Sequence, residues 1–153
     1  MSQRAFFDQV ADALIGFLPP DLRDFGSYRT SHNIKVWYGD DGRREHYEVQ
    51  VISGRHVQAS GQVLEIGFHA EHRDTSDNED AIARLTGAES RWRKALGDEP
   101  EAGTFLGHKG PWRRLSEVWS DDGVTEPEAA IEAAERLAAY IRTFEPVRRA
   151  GSS

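Results

Sequence analysis

Apolar residues recur along this chain with two spacings that alternate in blocks. Near the start, Phe6, Val10, Leu14 and Phe17 fall on one helical stripe, with Phe7 and Leu18 beside it and Asp8 and Asp12 facing away. Ser2 stands where an N-cap belongs, and Pro19 and Pro20 stop the run because proline cannot continue a helix. Residues 21–31 read as a connector that Leu22, Phe25 and Tyr28 pin to the body.

The spacing then changes to two. "NIKVWY" and "RREHYEVQVI" flank "GDDG", whose composition suits a tight turn at Asp40 and Asp41. If Gly39 opposes Gly42, Val36 faces Glu45 and Ile34 faces Tyr47, while Lys35 meets His46 and Trp37 meets Arg44. A third strand runs through "QVLEIGFHAE". There Leu64, Ile66, Phe68 and Ala70 alternate with Val63, Glu65, Gly67, His69 and Glu71. The intervening loop at 53–61 is polar, so this strand is expected to pair antiparallel with the one before it.

Helical spacing returns at Ser76, which forms a capping box with Glu79 and opens a run carrying Ile82, Leu85, Trp92 and Leu96. Gly97 ends it, and Gly87, roughly 1 kcal/mol less favourable than Ala inside a helix, marks where it bends or breaks. "TFLG" and "WRRLSEVW" read as a second hairpin through "HKGP". A helix also fits the latter, with Trp112, Leu115, Val118 and Trp119 on one stripe and Pro111 leading; aromatic content and the preceding turn favour strand. The last helix is capped by Thr125, carries Pro127 in its first turn and Glu128 as the capping-box partner. Ala130, Ala134, Leu137, Ile141 and Phe144 form its buried stripe. Pro146 is expected to end it and to leave 147–153 as a flexible tail. The expectation is a single α+β domain over 1–146. Its antiparallel sheet has about five strands, with three helices packed mainly on one face, as a two-layer sandwich.

Composition narrows what such a domain does. The chain has 153 residues, enough for one domain that buries roughly 70% of its unfolded surface, so stability requires neither metal nor disulfide. It contains no Cys, which removes disulfides, thiolate metal sites and cysteine nucleophiles. Net charge is −7 and the basic residues cluster only in pairs such as Arg43 with Arg44, which argues against nucleic acid as a partner. No stretch approaches the ~20 apolar residues of a membrane span. Asp8 and Asp12 interrupt the apolar core that an export signal needs, so a cytoplasmic location is expected. Sixteen of the 19 basic residues are Arg, a usage that suggests a bacterial genome rich in GC.

The pairing of the second and third strands has a consequence for chemistry. Tyr47, Val49 and Val51 must share the core face with Leu64, Ile66 and Phe68, because a slip of one residue would bury the charged set. With Tyr47 opposite Phe68, His46 lies opposite His69. Glu48, Gln50, Glu65 and Glu71 then share their face, joined by Lys35 and Trp37 from the first strand. Two imidazoles and several carboxylates that close suit a divalent ion of the Zn, Mn or Fe type, with His46, Glu48, His69 and Glu71 as candidate ligands. Glu48 beside a histidine also suits a general base. Lys35, Trp37, Gln50 and Glu65 are the candidate binding residues.

The competing reading is a solvated face, the ordinary condition of an antiparallel sheet. Gly67, in mid-strand on this face, marks a bulge or the close approach of a ligand or of another backbone. The expected function is a non-catalytic binding module that uses this face and Trp37 to hold a protein or small ligand and needs no cofactor. A metal-dependent hydrolase is the alternative, and a homodimer through the same face is a third. Other motifs fail. "GTFLGHKG" lacks the spacing and the Ser or Thr of a phosphate loop, "HAEH" lies on a strand rather than a helix, and "SDNED" lacks the spaced ligands of a calcium loop.

Overall fold

A computed structural model describes residues 2–39, 43–57, 61–104, 110–120 and 126–150, without the side chains of 56 and 57. The first helix, α1, spans Gln3–Phe17; the Ser2 hydroxyl accepts from the Ala5 amide at 3.1 Å, as an N-cap should. Pro19 and Pro20 convert the chain to a short 3-10 turn, after which strand β1 (Gly26–Arg29) begins. Strands β2 (Asn33–Trp37), β3 (Glu45–Ser53) and β4 (Gln62–Ala70) follow as a meander. Two helices come next, α2 (Thr75–Thr86) and α3 (Glu89–Leu96), then strands β5 (Glu101–Thr104) and β6 (Arg113–Trp119), and finally α4 (Pro127–Ala150).

All six strands join one antiparallel open sheet in the order β1-β2-β3-β4-β6-β5. β6 inserts between β4 and β5, so the middle of the sheet is β3, β4 and β6. Ile34, Val36, Tyr47, Val49, Leu64, Ile66, Phe68 and Leu115 face one side and share a single buried core with residues of all four helices. Phe6, Phe7 and Leu14 of α1, Leu85 of α2, Trp92 of α3 and Phe144 of α4 are the large contributors. Trp92 also donates its indole N–H to the Leu85 carbonyl at 2.8 Å, bridging the break at Gly87 where the two helices part. No helix among the described residues is long and apolar enough to cross a membrane.

The fold is α+β as expected, with six strands and four helices among the described residues in place of about five and three. The added strand is β1, inside the segment read as a connector; Ser27 and Arg29 are polar and exposed, so apolar alternation never marks it. The β2–β3 register is displaced by two residues from the tight-turn expectation: Val36 pairs with Tyr47 and Ile34 with Val49. A shift of two preserves which face each side chain takes, and it lengthens the connection. Tyr38 thereby leaves the ladder, and its hydroxyl donates to the Leu22 carbonyl at 2.7 Å. Asp40, Asp41 and Gly42 lie outside the described residues.

Three boundaries also differ. α2 starts at Thr75, and Ser76 is inside it rather than capping it. The second hairpin is real, with Arg113–Trp119 as strand, but β5 begins at Glu101 and its described part ends at Thr104; the rest of "TFLG", with His108 and Lys109, lies outside the described residues. α4 passes through Pro146 and continues to Ala150. Proline costs that helix one backbone bond. Arg148 ion-pairs with Glu145 one turn back and reaches Glu45 on β3 at 3.1 Å, while Val147 packs on the core, and these contacts hold the final turn. Thr125 and residues 151–153 are outside the described residues.

Candidate metal centre

Tyr47 pairs with Phe68, His46 with His69 and Glu48 with Gly67, the β3–β4 register that alternation requires. It assembles the expected cluster on the face opposite the helices. His46 Nε2 lies 3.0 Å from Glu48 Oε1 and 3.7 Å from Glu71 Oε2; His69 Nδ1 lies 3.4 Å and 3.3 Å from the same two oxygens. One donor atom from each of His46, Glu48, His69 and Glu71 lies within 4.8 Å of every other.

The opposite atom of each side chain is also engaged. His46 Nδ1 donates to the Arg43 carbonyl at 2.8 Å. A carbonyl can only accept, so Nδ1 carries the hydrogen and Nε2 turns inward. Arg43 has φ 68°, the left-handed region, and this backbone turn presents its carbonyl to the ring. His69 Nε2 meets Glu65 Oε1 at 3.0 Å, which leaves Nδ1 facing inward. Glu48 Oε2 accepts from the Asn33 amide at 2.9 Å, and Glu71 Oε1 lies 3.8 Å from Lys35 Nζ.

Glu65 is the hub of the outer ring. Besides His69 it accepts from Gln50 at 2.5 Å and from the Ser116 hydroxyl at 2.6 Å. Burial alone would raise its carboxyl; the positive charge of His69 and the three hydrogen bonds outweigh that and hold it down at about 2. Burial likewise opposes charging His69, yet the carboxylate of Glu65, with Glu71 and Glu48 behind it, pushes that ring up to about 10. Glu71 is held below the usual carboxylate range: burial raises it, and His69, His46 and Lys35 together overcome the penalty.

The centre of this face is not wet. His46 and His69 are 0% exposed, Glu48 3% and Glu65 1%. The solvated-face reading therefore fails where it matters. Gly67 has its own explanation: a Cβ there would stand 2.5 Å from Ser116 Cα, so the glycine admits the β6 backbone rather than a ligand. Trp37 is half-buried, its ring lying over Gly26 on one side and under the Arg43 guanidinium at 4.5 Å on the other.

Asn33, Arg43 and Ser116 escaped the sequence reading. Ser116 was within reach, since its parity along "WRRLSEVW" places it on the polar face, but the neighbouring of β4 and β6 was not. The Arg43 carbonyl is a backbone group and carries no sequence signal. No family model matches the chain, and no curated protein or solved structure matches it.

Proposed function

We propose that this domain is a binding module for one divalent transition-metal ion, held by His46 Nε2, His69 Nδ1, Glu48 Oε1 and Glu71 Oε2. The observation that carries the reading is the convergence of these four atoms while the far side of each ligand is tied elsewhere. Atoms bearing lone pairs repel at such distances unless something positive lies among them. A tetrahedral ion with ligands at 2.0–2.1 Å sets its ligand atoms about 3.3 Å apart; the four imidazole–carboxylate separations run from 3.0 to 3.7 Å, and every pair lies within 4.8 Å. Mixed imidazole and carboxylate donors suit Zn, Mn or Fe and disfavour Ca or Mg, which prefer oxygen throughout. Histidines that bind a metal commonly give their other N–H to a carbonyl or carboxylate, as the Arg43 and Glu65 contacts provide.

Burial supports an internal ligand over docking of a protein or a second copy against this face, since its centre is already covered within one chain. Glu48 is engaged by both rings and by Asn33, an arrangement that suits a ligand better than a general base and supports binding rather than hydrolysis. Protons on both imidazoles are the competing source of positive charge, and that alternative predicts no metal affinity. Calorimetric titration of the chain with zinc at neutral pH tests the proposal. One ion per chain at micromolar affinity or tighter is expected, with binding lost in a His46→Ala/His69→Ala variant that keeps its circular dichroism. A wild-type chain that takes up no zinc, manganese or iron overturns it.

A further inference from the structure

Glu71 differs from its three partners in where it stands. His46 and Glu48 lie inside β3, and His69 inside β4, strands paired on both sides. Their side chains are 0–3% exposed. Burial on all sides leaves these side chains without a path to solvent. Glu71 follows the last residue of β4 and its side chain is 13% exposed. Its backbone is fixed, the amide donating to the Arg44 carbonyl at 2.6 Å. Its carboxylate meets His69 Nδ1 at 3.3 Å but is the most exposed of the four, so side-chain rotation can carry it outward without moving the backbone. Outside it stands Lys35, 28% exposed, with Nζ 3.8 Å from Glu71 Oε1.

Three rigid protein ligands and one replaceable position describe a centre that accepts an external ligand. From this geometry, and resting on the metal reading above, we infer that Glu71 is the exchangeable ligand and that a small monocarboxylate from solution takes its place on the ion. The exchange is a substitution of one carboxylate for another, so the charge of the centre is unchanged and no bond within either group breaks. Lys35 supplies the positive charge that keeps the displaced or incoming carboxylate near the mouth. The inferred ligand class is thus a compact carboxylic acid anion, selected by the ion for its oxygen donor and by Lys35 for its charge.

Cobalt(II) serves as a divalent probe with a visible spectrum, and acetate as the carboxylate. Glu71→Ala is expected to weaken cobalt binding by roughly tenfold or more, and acetate is expected to restore most of that loss. Adding Lys35→Ala to Glu71→Ala should weaken the rescue several-fold. His46→Ala, which removes a strand ligand, should not be rescued at all. Glu71→Gln, which keeps the side-chain volume, should behave like Glu71→Ala and guards against a packing artefact. Rescue by chloride at equal ionic strength, or a folded Glu71→Ala chain that acetate leaves unchanged, overturns the inference while leaving the metal site intact. A wild-type chain that binds no cobalt removes both.

Discussion

The rings of His46 and His69 face one another across β3 and β4 with centroids 5.4 Å apart, and each is braced from behind by a different acceptor. His46 leans on the Arg43 carbonyl at 2.8 Å and His69 on the Glu65 carboxylate at 3.0 Å. The braces determine which nitrogen of each ring turns inward, so the centre uses Nε2 from one histidine and Nδ1 from the other.

Glu65→Gln separates the brace from the ligands. The amide keeps the volume and an acceptor oxygen but loses the charge that polarises the His69 ring. Metal affinity is expected to fall roughly 10- to 100-fold while the stoichiometry stays at one ion per chain. Competition with a chromophoric chelator measures this. Unchanged affinity would show that Glu65 serves packing alone.

The cluster was legible because period-two alternation makes few promises but keeps them strictly. Once Tyr47 had to share the core with Phe68, the faces of His46, Glu48, His69 and Glu71 were determined. The β2–β3 register differs by two residues from the tight-turn expectation, and Lys35 still stands on the expected face, opposite Glu48 rather than His46. Burial of the polar face was not legible. It depends on β6 lying beside β4, a long-range arrangement that local pattern does not encode, and on Ser116 and Arg114 arriving from that strand. The passage of α4 through Pro146 was hidden for a related reason. Its last turn is held by tertiary pairs from Arg148 to Glu45 and Glu145, which outweigh local propensity.

Gly67→Ala tests the contact between β4 and β6. The new methyl group would stand 2.5 Å from Ser116 Cα and Cβ and 2.6 Å from the Leu115 carbonyl oxygen, so the strands must separate. A loss of about 1–3 kcal/mol is expected, as for other overpacked sites. Gly103→Ala, also on the polar face but with nothing within 4 Å of the added carbon, is the control and should stay within about 0.5 kcal/mol. Urea denaturation of the two variants decides; equal midpoints would mean that β6 adapts freely.

Asn78 holds the end of β4 in place. It is fully buried, accepts from the His72 amide at 2.7 Å, and donates to the carbonyls of His72 at 3.0 Å and Pro111 at 2.8 Å. One side chain thus ties α2 to the residue after Glu71 and to the approach of β6. Asn78→Ala leaves these backbone groups without their partner, at a cost of about 1–3 kcal/mol. Asn78→Asp keeps the acceptor and loses both donated bonds, so it should destabilise as well. Thermal unfolding of either variant at the wild-type midpoint would contradict this.

Alkaline pH acts through buried tyrosine in addition to His69, whose raised value of about 10 makes its own contribution fall as pH climbs from about 6.5 to 10. Burial, reinforced by Glu145 beside Tyr38 and Tyr47 and by Glu117 beside Tyr140, raises the hydroxyls of all three well above the ordinary 10.0. A group raised on folding contributes stability that is complete below its unfolded value and declines as pH climbs toward the folded one. Above pH 10 the unfolded chain therefore releases protons that the folded chain retains. Each such tyrosine removes up to about 1.4 kcal/mol per pH unit, and three together about 4 kcal/mol. Unfolding free energy from urea titrations is expected to be flat in this term below pH 10 and to drop steeply above it, with phenolate absorbance and loss of helical dichroism rising together. Tyr47→Phe should lessen the slope by about one third. If the three phenols ionise near pH 10 while the helical signal stays intact, their burial does not carry the linkage described.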